Sequence, residues 1–208
     1  MSAIYLYPRW LRLWHWLSAL LFLMLLVSGA SMHYAGNPWL LSFRRAVLIH
    51  NAAGILLTLG WIGFIVGNLI SDNGRHYRIH WRGLVGRLSA QVRYYSYGIF
   101  HGAQHPFAVS SAMKFNVLQQ LSYLGVMYLL MPLLIVSGWA FLFAAYLPET
   151  LFGIGALWSV AMIHLTVAYC LVLFLMTHLY MITTGETLFT NLRAMLTGWD
   201  RESGRPAP

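Results

Sequence analysis

The stretch from Met162 to Met181, MIHLTVAYCLVLFLMTHLYM, carries no formal charge. At 1.5 Å per residue, about 20 such residues make a helix as long as a hydrocarbon core is thick, roughly 30 Å. It therefore reads as a helix that crosses a membrane. Yet it holds two histidines, His164 and His178. Ionisable side chains at that depth are costly and face a partner, so the stretch poses the functional question along with the fold.

Working outward, the helix extends over Leu157–Thr183, and three further apolar segments of spanning length stand at Trp10–Ser31, Val47–Ile70 and Phe115–Ala144. The 208 residues are 59% hydrophobic and 9% charged, with a mean hydropathy of +0.64, more apolar surface than a water-soluble domain of this size uses. In lipid only helices and closed barrels satisfy their own backbone polar groups, and a barrel would alternate apolar with polar residues. The uninterrupted runs predict an all-α integral membrane four-helix bundle, one domain over residues 1–208. Arg9 and Arg12 ahead of an apolar run ending in VSGAS also fit a secretory signal. The run is longer than a signal core and contains His15, so a retained helix is expected.

Arg75, Arg78, Arg82, Arg87, Arg93 and Lys114 lie between the second and third spans, and Arg193, Arg201 and Arg205 in the tail. The positive-inside bias puts these, with Arg9 and Arg12, on the cytoplasmic side, so both termini are expected there. The connection around Pro148 and Glu149 lacks Lys and Arg, as an outer loop should. Arg44 and Arg45 break the pattern and are outvoted. The net charge of +8 thus follows from topology and attraction to anionic lipid, with no need for nucleic acid. Cys170, the single cysteine, excludes an intrachain disulfide, a cysteine-rich cluster and covalent haem through Cys-x-x-Cys-His.

The segment 71–112 mixes Arg with aromatic and aliphatic residues, as in LVGRLSAQVRYYSYGIF, which suits an amphipathic helix at the lipid interface. Pro132 is expected to kink the third span, and DRESGRPAP at the end reads as a disordered tail.

Four of the nine histidines lie in the spans: His15, His50, His164 and His178. A lone histidine there is usually held by a neighbouring carbonyl; four together need another account. His164 and His178, fourteen residues apart, share a helix face to within about 40° but stand about 21 Å apart along the axis, so they cannot share a metal. Two sites at two depths follow. By topology His15 pairs with His178 toward the cytoplasm, and His50 with His164 toward the outside. Zinc takes three or four protein ligands, which neither depth offers. Two axial histidines suffice for a haem, whose macrocycle supplies the other nitrogens, and two stacked haems fit the spacing. Gly29, Gly54 and Gly138 at the outer level, and Gly63, Gly67 and Gly125 at the inner, leave room for a macrocycle. His33, His76, His80, His101 and His105 lie outside the spans; HGAQH at 101–105 has no carboxylate or thiolate near it and reads as a loop.

These features together resemble the di-haem cytochrome b membrane subunits of bacterial respiratory oxidoreductases, such as the gamma subunit of formate dehydrogenase and the cytochrome b subunits of nickel-iron hydrogenase and thiosulfate reductase. The resemblance covers RLWHWLSALLFLMLLVSG around His15, HNAAG from His50, KFNVLQQLSY from Lys114 and both histidines of the last span. THLYMITTGETLFTNLRAMLTGWD is most similar to the thiosulfate reductase branch. The resemblance implies that His50 and His164 bind an outer haem b and His15 and His178 an inner one. It implies electron exchange between an extracytoplasmic redox subunit (molybdenum/iron–sulfur, hydrogenase or multihaem cytochrome c) and menaquinone or ubiquinone. Lys114, Phe115, Asn116 and Gln119 match the family's start of the third span, where Gln120 replaces a basic residue. Quinone carbonyls accept hydrogen bonds and take up protons on reduction, a role open to Lys114, Asn116 and Gln119, with protons arriving through Glu186 or Lys114. Arg44 and Arg45 are then available to outer haem propionates or a docking subunit.

The expected function is that of an electron-transfer membrane subunit of the bacterial inner membrane, with the substrate chemistry on its partner. Two other readings stay open: a free-standing di-haem cytochrome that oxidises a small molecule such as superoxide and reduces quinone, and a haem-free transporter or anchor with histidines as proton relays.

Overall fold

The computed structural model describes residues 3–36, 41–104, 106–107, 114–151, 153–185 and 187–201. His105, Glu186 and Arg205 lie outside the described residues. In chain order the helices are α1 (Arg9–His33), α2 (Phe43–Ile70), α3 (Leu84–Ser96), α4 (Val117–Gly125), α5 (Met131–Leu142), α6 (Ala156–Ile182) and α7 (Thr190–Thr197). A π-helical turn, Val126–Leu130, joins α4 to α5. Four helices are long and apolar enough to cross a membrane: α1, α2, the combined Val117–Leu142 and α6. The protein is an all-α membrane fold. Leucines such as Leu13, Leu17, Leu20 and Leu23 stay exposed along α1, which is the surface lipid would cover.

The helix ends differ from the hydropathy limits for local reasons. Helix α2 starts at Phe43 rather than Val47, because Arg44 and Arg45 belong to its first turn despite their charge. Helix α4 starts after Asn116, whose side chain caps it. Pro132 has no N–H to donate and its ring crowds the carbonyl of Tyr128, four residues earlier. Tyr128 lies in the π turn, so the span is interrupted on the N-terminal side of the proline, where wider hydrogen bonding relieves the clash.

The chain forms two compact units. One comprises Trp10–Val66 and Leu129–Met176. There the Trp14 indole donates to the Gly60 carbonyl at 2.9 Å and stacks on the fully buried Phe64 at 4.3 Å. The Trp139 indole donates to Thr58 Oγ1 at 3.2 Å, whose own proton goes to the Gly54 carbonyl at 2.8 Å. Helical Ser and Thr hydroxyls bonded back to residue i−4 recur here, since in lipid a hydroxyl must find a partner on protein.

The other unit comprises Met1–Arg9, Gly67–Tyr128 and Thr177–Pro208. Ala3–Tyr5 pairs antiparallel with Trp199–Arg201, and the Tyr5 and Trp199 rings lie 5.1 Å apart. The tail expectation therefore fails for Asp200 and Arg201, which a partner strand distant in sequence holds in place; residues 202–208 lie outside the described set. Gly198, at φ 89°, ends α7 in the left-handed conformation, and its carbonyl accepts from the Leu6 and Tyr7 amides. The turn Asp72–Tyr77 folds back on the end of α2: Asn73 Nδ2 donates to Asn68 Oδ1 at 2.7 Å. A Cβ at Gly74 would fall inside contact distance of the Asn68 carbonyl, so only glycine fits there. The amphipathic stretch is helical as α3, and the Arg87 guanidinium donates to the Arg82 and His80 carbonyls at its start.

Candidate functional site

Helices α2 and α6 bring His50 and His164 together, with ring centroids 6.2 Å apart and ring planes at 65°. Each ring is held from behind. The His50 Nδ1 lies 3.0 Å from Ser28 Oγ of α1, and the His164 Nδ1 lies 2.9 Å from Ser137 Oγ of α5. Each serine precedes a glycine. A Cβ on Gly29 would stand 3.4 Å from Cε1 of His50, and one on Gly138 would stand 3.5 Å from Cε1 of His164. Cε1 lies between the ring nitrogens, so both glycines keep clear the flank next to Nε2.

A cavity of about 530 Å³ opens beside the pair, lined by Leu25, Gly29, Gly54, Gly138, Trp139 and Ala168 among others. Two imidazoles bonded through Nε2 to opposite sides of one metal, at about 2.0 Å per bond and about 1.2 Å from nitrogen to ring centre, have centroids roughly 6.4 Å apart. The pair at 6.2 Å meets that separation, and rotation of a ring about the shared axis leaves it unchanged. Phe141 meets His164 edge-on at 5.7 Å, completing an apolar wall. Among the described residues no group of three or more His, Cys, Asp or Glu gathers as a metal cluster, so a cofactor bringing its own equatorial nitrogens suits the donor set.

The serines were not foreseen from the sequence. Their signal is the tripeptide Val-Ser-Gly, present at 27–29 and again at 136–138, a hydroxyl beside a glycine in two otherwise apolar helices. Ser28 is fully buried and Ser137 nearly so.

Of the other expected ligands, His15 lies on α1 in the unit that holds His50 and His164, and His178 lies on α6 in the other unit. Lys114, Asn116 and Gln119 share the unit of His178. Asn116 is 2% exposed. Its Oδ1 accepts from the Gln119 amide at 2.9 Å, its Nδ2 meets the Tyr95 hydroxyl at 3.2 Å, and its own amide donates to Gln119 Oε1 at 3.1 Å, a closed capping box. The cap leaves Gln119 Nε2 unused. Gln120 Nε2 donates to the His76 and Arg78 carbonyls, which fastens α4 to the turn before α3. Lys114 Nζ donates to Asn73 Oδ1 at 3.0 Å and stands 5.9 Å above the Tyr7 ring. Burial first, and the nearby Arg75 charge second, bring the Lys114 ammonium down to about 8. Burial likewise pushes the Tyr7 and Tyr77 phenols well up, so both remain neutral donors.

His33, His80 and His101 are exposed, and His101 stacks on Tyr97 at 3.8 Å. Arg44 and Arg45 are exposed at the start of α2.

A family profile described as prokaryotic cytochrome b561 matches residues 6–198. A protein of Escherichia coli (strain K12) named "Putative cytochrome YdhU" is 39% identical over 200 residues, which covers 96% of this chain and 76% of that protein.

Proposed function

The chain belongs to the prokaryotic cytochrome b561 family, multi-pass cytochromes of the bacterial inner membrane that work by haem-based electron transfer, and on that premise we propose that it moves electrons between a redox protein outside and quinone inside. The observation that carries the reading is the His50–His164 pair at 6.2 Å beside an apolar cavity. A bound b-type haem supplies a one-electron iron couple between two imidazoles. His50 and His164 would hold one such group, and the sequence pattern offers His15 and His178 as ligands for a second. The cavity beside the first site is lined mainly by apolar residues. Nearly all the basic residues lie at the ends that would face the cytoplasm, which supports His178, Lys114 and Gln119 on that side.

Within this reading Lys114 and Gln119 Nε2 donate to quinone carbonyls, and Asn116 caps α4, which carries Gln119. Lys114 is poised to hand on a proton because burial brings its ammonium down to about 8. The exposed Arg44 and Arg45 suit carboxylates, either haem propionates or an acidic face on the redox partner. The partner, of a molybdenum/iron–sulfur, hydrogenase or multihaem kind, would carry the substrate chemistry.

A reduced-minus-oxidised spectrum with haem quantification tests the centre of this proposal. Two non-covalent b haems per chain are expected, both extracted by acid acetone. One haem per chain, or none, would overturn the pairing. Purification from native membranes is expected to bring a stoichiometric extracytoplasmic subunit; a chain that purifies alone and is reduced by superoxide would favour the free-standing reading. For orientation, a reporter active only in the cytoplasm should work when fused after Pro208 and fail when inserted near Glu149. The reverse pattern would exchange the sides assigned to the two haems.

A further inference from the structure

We propose that Ser28 and Ser137 are a matched pair of positioning residues that fix the tautomer of His50 and His164 and thereby set the redox potential of the haem those histidines hold. The inference rests on the bis-histidine reading of that pair and adds to it the hydrogen-bonding shell that no hydropathy pattern exposes.

The direction of each bond follows from proton counting. A serine hydroxyl has one proton. Ser28 spends it on the Met24 carbonyl at 2.6 Å, and Ser137 on the Leu133 carbonyl at 2.7 Å, each four residues back in its own helix. With that proton on the carbonyl the oxygen accepts from the histidine, which in this proposal places the ring proton on Nδ1, 3.0 Å from Oγ in His50 and 2.9 Å in His164. The Leu25 and Leu134 carbonyls, also within reach of the two rings, can only accept, which agrees with the same sense. With Nδ1 protonated, Nε2 keeps its lone pair. That is the nitrogen a haem iron needs, and the protein provides it before any metal arrives.

The arrangement is duplicated, which argues against incidental helix packing. Each histidine comes from a different helix than its serine, each serine bonds back to residue i−4, and each is followed by the glycine that faces Cε1 of the same ring. Each hydroxyl also reaches its i−3 carbonyl, Leu25 at 3.3 Å and Leu134 at 3.0 Å, and in both cases its oxygen meets the histidine as well. An N–H that donates makes the imidazole a stronger electron donor and favours the ferric state. Both serines therefore hold the potential down.

Ser28→Ala, Ser137→Ala, the double variant and the Ser→Thr versions should be compared by haem content, redox titration and electron paramagnetic resonance of the oxidised haem. Threonine in a helix keeps the hydroxyl and its i−4 bond. The alanine variants are expected to keep two haems, with the reduced-to-oxidised ratio of one rising roughly tenfold at fixed ambient potential, the loss of about one hydrogen bond. For a one-electron couple that is a shift of about 59 mV upward. The double variant should move further the same way, the resonance of that haem should change as its ligand planes loosen, and threonine should restore both. Unchanged potential and resonance in the double alanine variant would overturn the proposal while leaving the haem site intact. A separate His50→Ala variant that kept both haems would instead overturn the reading on which the proposal rests.

Discussion

His50→Ala and His164→Ala are each expected to lower haem content from two to one per chain, to remove the same haem, and to abolish quinone-linked turnover. The expectation rests on the two ring centroids lying 6.2 Å apart, close to the separation of two imidazoles on one metal. Losing groups that merely orient a ligand costs about 10- to 100-fold in metal affinity, so losing a ligand itself should exceed that and empty the site. The double variant should look like either single one, since both remove one indivisible unit. His15→Ala and His178→Ala are expected to remove the other haem. Haem quantification on purified protein, with redox titration to tell which haem persists, checks the scheme. Loss of the same haem in His50→Ala and His15→Ala would break the pairing by depth.

Much of this was legible in the sequence, and the exceptions have physical causes. A spanning helix announces itself because lipid demands a long apolar run, so the four crossings needed little beyond hydropathy. Helix ends are set by caps and turns, which hydropathy does not see; hence α2 begins at Phe43, ahead of its apolar run. That His50 and His164 lie side by side was expected from equal depth on different helices. Their serines did not, because one hydroxyl in an apolar helix is ordinary and only the structure shows where its second bond goes. Asn116 and Gln119 show the opposite case: Asn-x-x-Gln ahead of an apolar run is itself a capping-box signature, and the structure uses it as one. The strand pairing of Trp199–Arg201 with Ala3–Tyr5 could not be anticipated, since it joins segments almost the full chain apart.

Lys114→Met is expected to slow quinone-linked turnover while both haems stay in place and the outside partner still reduces the protein. Lys114 is half-buried and bonded to Asn73, with burial and the Arg75 charge disfavouring its ammonium, so it can offer a hydrogen bond and then a proton. A hydrogen bond from a charged donor contributes about 1.5 to 3 kcal/mol, so its loss in the transition state should cost roughly ten- to a hundredfold. The pH profile separates chemistry from structure. A lysine lowered to about 8 donates only while protonated, so wild-type quinone reduction should decline as pH rises through about 8, and Lys114→Met should lack that step. Stability moves the other way: because the folded chain releases this proton before the unfolded chain does, burial of the charge costs most below about 8 and is relieved as pH rises toward 10.5, the ordinary lysine value. A fall in rate across that window therefore cannot be unfolding driven by Lys114. Gln119→Glu is the companion variant, since it keeps an acceptor for the Asn116 amide while replacing the Nε2 donor with a carboxylate; it too should slow turnover with α4 still capped. If Lys114→Met turned over quinone at the wild-type rate, with the same pH profile and the same sensitivity to quinone-analogue inhibitors, the quinone would have to bind elsewhere.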